Sequence, residues 1–127
     1  MGDLFYNVNW LATLVGFVAA FVAGWVYYSP RGFYPAWSRS AGVTHAPGDP
    51  MMVSFGSLIA GLILYSLFVS VMLAKGEKSA LLLGIVAFIV MGYAGGAFKK
   101  QGAASRNIDA GSWALSGVLM LAAHYVL

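Results

Sequence analysis

Residues 51–74 read MMVSFGSLIAGLILYSLFVSVMLA, without a single Lys, Arg, Asp or Glu. The hydrocarbon core of a bilayer is ~30 Å thick and takes about 20 apolar residues as a helix. A charge at its centre costs roughly 2.5–3.5 kcal/mol on insertion scales. A run of this length and purity is what a membrane span requires. Working outward, Val8–Tyr28, Ser79–Phe98 and Ala110–Leu127 share the property, and all eleven charged side chains fall outside the four runs. The pattern predicts an all-α integral membrane protein, with four transmembrane helices in a compact bundle and residues 1–127 forming one domain.

Composition agrees. The chain is 61% hydrophobic and 9% charged, against about 25% charged in ordinary soluble domains. Seven Lys/Arg against four Asp/Glu give a net charge of +3. These cations are scattered over connections rather than clustered on one face, which excludes a nucleic-acid footprint and points to the lipid bilayer as the partner. With no cysteine, disulfides, thiolate metal sites and thiol chemistry drop out. Asp3 is the one charge before the first run. A cleaved signal would carry a positive n-region and a shorter apolar core, so the first run reads as a permanent helix.

Lys and Arg alternate between connections. The first loop, Ser29–Pro50, carries Arg31 and Arg39. The third, Lys99–Asp109, carries Lys99, Lys100 and Arg106. The tight second turn has Lys75 and Lys78. Positive residues favour the cytoplasmic side, so loops one and three are expected inside and both termini outside. Ala110–Leu127 would extend only about 27 Å at 1.5 Å per residue, which implies little tilt or a locally thin bilayer. Asp109 just before it is placed to cap its N-terminus.

Small residues line the helix faces: Gly16, Ala20 and Gly24 in the first span, Ser57 and Gly61 in the second. Such spacing lets backbones approach closely where lipid supplies no hydrophobic drive. Packing within the bundle is the leading reading, beside an oligomer face or a small-molecule path. Ser54, Ser66, Ser70 and Tyr65, with Gly95 and Gly96 at the end of the third span, could line a cavity. Gly92, Gly95 and Gly96 weaken a helix, as a fraying terminus or as unwound backbone beside a binding site. Trp10, Trp25 and Tyr28 stand at the depths where aromatic anchors belong.

The most distinctive stretch is 24–37, GWVYYSPRGFYPAW. Pro30 disfavours helix at Ser29 and should end the first span. Phe33, Trp37 and Ser40 then follow helical spacing between Arg31 and Arg39. That suits a short amphipathic helix in the interface, with its rings in lipid, followed by an exposed connector over 41–50. Asn9-Trp10, then Gly24, Tyr28, Ser29 and Pro30, then Phe33, Trp37 and Gly42 resemble the bacterial integral membrane proteins grouped as domain of unknown function 1761. The motif covers about the first forty residues and the later spans fit by hydropathy. The resemblance implies a small four-span protein of the bacterial cytoplasmic (inner) membrane and carries no established activity or catalytic residues.

Chemistry is sparse. His124 is the one ionisable side chain within the runs. It is a candidate cofactor ligand, though water at the interface can solvate it; His45 reads as solvated. No carboxylate lies in a span, no metal-ligand cluster is spaced for a metal, and the serines lack a base partner. No enzyme, cofactor or metal is expected. Two functions remain: a structural or accessory bundle that self-associates or packs against a larger membrane complex, and a carrier or channel for a small neutral or apolar molecule.

Overall fold

The computed structural model describes residues 5–29, 31–42 and 52–127, with side chains from 56 onward in the last stretch. Asp3, Pro30, His45 with its connector, and the side chain of Ser54 lie outside the described residues. Within them every regular element is helical: α1 (Trp10–Tyr27), α2 (Tyr34–Ala41), α3 (Met52–Ala74), α4 (Lys78–Phe98) and α5 (Ala103–Val126). Three of these, α1, α3 over Gly56–Ala74, and α4, are long and apolar enough to cross a membrane.

Local chemistry sets the ends. Asn9 caps α1, its side-chain oxygen accepting the Ala12 N–H at 3.0 Å, one of the orphan donors that any helix start must satisfy. After α1 the chain folds back on itself: Gly32 N–H donates to Ser29 O and Phe33 N–H to Tyr27 O, both at 2.8 Å. A Cβ at Gly32 would stand 2.6 Å from Tyr27 O and 2.8 Å from Val26 O. Both obstacles are backbone, so only glycine fits. At the α3–α4 turn Gly76 adopts φ +71°, and its N–H and that of Glu77 donate to Leu73 O and Met72 O. That is the left-handed helix stop for which glycine is suited.

α5 organises the rest, packing against α1 and α4 and more lightly against α2 and α3. The core is Ala20, Leu62, Tyr65, Val69, Leu81, Ile85 and Met120. Gly16 is a close crossing: a Cβ there would meet Met120 Cα and Ser66 Oγ, each at 3.2 Å. Two helices therefore approach α1 at one spot, as small residues permit in apolar bundles.

Several expectations need correction. α5 begins at Ala103 rather than Ala110, so the third loop shrinks to four residues and the helix extends about 36 Å at 1.5 Å per residue. The cause is a cap borrowed from elsewhere in the chain. Gly102, at the N-cap position, has no side chain to offer, but Ser40 of α2 accepts the Ser105 N–H on its Oγ and the Gly102 N–H on its carbonyl, both at 2.9 Å. Asp109 is thus the seventh residue of α5 and caps nothing. With Arg106 and Asp109 in its first turns, α5 is less apolar than the other three long helices and is not among the three candidate spans. Gly92, Gly95 and Gly96 do not interrupt α4, which runs regularly to Phe98. Nor does α2 turn all its contacts to lipid: Ser38 is buried and Ser40 reaches α5.

Candidate functional site

Where α1 begins and α3 and α5 end, the helices leave an open cleft of about 300 Å³, lined by Asn7, Asn9, Ser70, Leu73, Ala74, Lys78, His124 and Tyr125. Its floor is a chain of polar groups crossing three helices. His124 Nδ1 contacts Met120 O at 2.8 Å within α5, and Nε2 contacts Ser70 Oγ of α3 at 2.6 Å. Ser70 Oγ in turn meets Thr13 Oγ1 of α1, which donates to Asn9 O at 2.8 Å. One turn deeper, Ser66 donates to Thr13 O at 2.7 Å. These groups would be costly to bury unpaired in an apolar bundle, and together they satisfy one another.

Ser70 therefore does have a base partner, contrary to the expectation from sequence. A serine bonded to an imidazole that is itself oriented by a carbonyl has the outline of an activated nucleophile. Ser70 is 1% exposed, and its oxygen contacts both Thr13 and His124. The pair joins α3 to α5.

The opposite end is closed by phenols. Tyr27 donates to Ile108 O at 2.8 Å and Tyr28 to Asp109 Oδ1 at 2.5 Å, joining α1 to α5. Tyr27 packs against Phe33 with ring centroids 4.7 Å apart and tilted by 45°, and Trp37 stands edge-on to Tyr28 at 6.1 Å. Arg106 lies 4.8 Å over the Tyr93 ring, a cation–π contact that accommodates its charge within the helix.

The residues singled out from sequence are dispersed. Gly16 and Ala20 are buried among α1, α3 and α5. Among the described residues, Gly24 and Gly61 have open space where a Cβ would point, and Ser57 is exposed. Trp10, Trp25 and Phe33 expose much of their rings, as interfacial anchors would. Tyr28 and Trp37 are instead half-buried against each other and α5. Of the proposed cavity residues whose side chains are described, Ser70 alone lines the cleft. Tyr65 donates to Trp113 O at 3.1 Å and stacks on that ring, Ser66 is committed to Thr13, and Gly95 and Gly96 lie at the far end of α4. His124 joins Ser70 in the cleft, with both ring nitrogens engaged by the protein.

Thr13, Asn9, Lys78, Ser40 and Ser105 are the working residues not anticipated. Thr13 left a faint signal as the one threonine in Val8–Tyr28, four residues after Asn9. Ser40 and Ser105 left none, being 65 positions apart. Among the described residues no three His, Cys, Asp or Glu come together as metal ligands. Comparison with family models, curated proteins and solved structures found no match to the chain.

Proposed function

We propose that the chain is a multi-pass protein of the bacterial cytoplasmic membrane, with α1, α3, α4 and α5 crossing as a four-helix bundle. Its role is structural or accessory, non-enzymatic, and exercised by self-association or by packing against a larger membrane complex. Both termini lie outside, since Arg31, Arg39, Lys99, Lys100 and Arg106 gather on one side against Lys75 and Lys78 on the other. Membership of the domain of unknown function 1761 family is part of the same proposal.

One observation carries it. In α4 only Leu81 and Ile85 are buried, while Leu82, Leu83, Val86, Val90 and Met91 project outward. A helix apolar all round yet covered on one narrow strip needs lipid or another protein around it. On α3 the exposed Gly56, Ser57 and Ala60 beside Gly61 form a face that a neighbouring backbone can approach. A carrier or channel is less well supported. Leu62, Tyr65, Val69, Leu81 and Met120 fill the middle, and the cleft lies at one end of the bundle, lined by Asn9, Ser70, Lys78 and His124.

Mass photometry of the full chain in mild detergent tests the role. A multimer, or a stoichiometric companion retained from the native membrane, is expected; a bare monomer would refute it. Because the chain has no cysteine, single cysteines at Glu77 and Ala103 report orientation. Glu77→Cys should label from outside and Ala103→Cys should not.

A further inference from the structure

Asn7 and Asn9 both line the cleft, while Val8 between them is buried. Asn7 holds φ 62°, a left-handed conformation that asparagine adopts more readily than most residues. Asn9 caps α1 through its Oδ1, which accepts the Ala12 N–H at 3.0 Å. That bond orients the amide and leaves the hydrogens of its nitrogen to donate. Lys78, the first residue of α4, adds an ammonium to the same wall. Ser70 and His124 are engaged with each other, and the second ring nitrogen with Met120 O. No carboxylate side chain is among the lining residues, and Glu77 of the adjoining turn is exposed. Helix poles do not alter the balance, because α1 and α4 start at this end and α3 and α5 finish there, so their terminal partial charges oppose one another. Lys78 leaves the cleft positive.

We propose that this cleft binds a phosphate group, held by the Lys78 ammonium and the side-chain N–H groups of Asn7 and Asn9. A phosphate presents several acceptor oxygens to these donors, and its charge turns the contacts into charge-assisted hydrogen bonds. A cationic ligand meets repulsion from Lys78, and a neutral one leaves that charge unanswered. The volume of about 300 Å³ exceeds what a phosphate alone fills, and Leu73 and Ala74 give the group esterified to it an apolar wall. Two sources share this chemistry, a phospholipid headgroup and a soluble phosphate. Tyr6 and Trp10 beside the two asparagines, and Tyr125 in the lining, are exposed at 78%, 57% and 80%. Such rings belong at headgroup depth, which favours the lipid. That source rests on the membrane-spanning reading; the phosphate chemistry does not.

The test is thermal unfolding of the full-length protein in a nonionic, phosphate-free detergent, titrated with inorganic phosphate, with phosphatidylglycerol, and with diacylglycerol of the same acyl chains. A probe that binds the folded chain raises the midpoint. Phosphatidylglycerol should raise it and diacylglycerol should not. A rise with inorganic phosphate but not with the lipid would keep the site and assign it to a soluble phosphate. The decisive variant is N9D. Aspartate caps a helix as well as asparagine does, but it replaces the donating amide with a negative charge, so the rise should vanish while the fold persists. K78Q should weaken binding about tenfold, as loss of one charge-assisted hydrogen bond implies. K75Q makes the same charge change on an exposed residue outside the lining and should bind like the wild type. No rise with either phosphate probe, an N9D rise equal to that of the wild type, or equal losses in K75Q and K78Q would overturn the site.

Discussion

At the end where α2 docks, phenols and a carboxylate join α1 to α5; at the end where α1 begins, two hydroxyls and an imidazole join the same helices through α3. The first closure brings its own hydrogens. Tyr28 donates to Asp109 and Tyr27 to Ile108 O, and neither contact waits on a proton from water. The second runs through hydroxyls and a ring nitrogen, from Thr13 to Ser70 to His124. The first end is also covered by α2, whereas the second opens into a cleft. The same pair of helices is thus joined directly at one end and by way of a third helix at the other.

The comparison can be broken most severely from the middle. In G16L the new side chain must pass Met120 Cα and Ser66 Oγ, and backbone on α5 cannot turn aside. Overpacking of this kind costs about 3 kcal/mol, and both ends should loosen together, seen as loss of a monodisperse particle on heating. Breaking the α2 end alone is milder. Y28F leaves the half-buried Asp109 carboxylate without its donor, a loss of about 2 kcal/mol, and the fall in melting temperature should be equal at pH 5.5 and pH 8. Smaller still is S40A, which removes the borrowed cap on the first turn of α5 and should cost about 1 kcal/mol. Hydrogen exchange should show that loss at Ser105 and Arg106 while leaving the cleft end unchanged.

Much of the fold was legible because charge exclusion acts on whole segments. Val8–Tyr28, Met51–Ala74 and Ser79–Phe98 anticipate α1, α3 and α4 to within two residues at each end. The start of α5 was hidden, since Ala103–Asp109 reads as a polar loop until Ser40 supplies the cap, Tyr93 faces Arg106 and Tyr28 engages Asp109. These partners lie on other elements, and no local pattern announces them. The polar row was obscured for a related reason. Thr13, Ser70 and His124 each have an ordinary explanation alone, and Ser66 and Ser70 suggested a cavity wall. Only the meeting of three helices turns them into one hydrogen-bonded row. Small residues were readable as close-approach positions, but which faces meet within the chain was not: Gly16 is enclosed, whereas Gly61, at the same kind of spacing, points outward.

The asymmetry of the two ends rests on α1 meeting α5 directly through Tyr27 and Tyr28 at one end and by way of α3 at the other. Hydrogen exchange of the full-length protein in micelles reads it directly, with T13V set against Y28F. T13V should raise exchange where α1 begins and leave the start of α5 unchanged, and Y28F should do the reverse. Equal loosening of both ends by either variant would contradict the account.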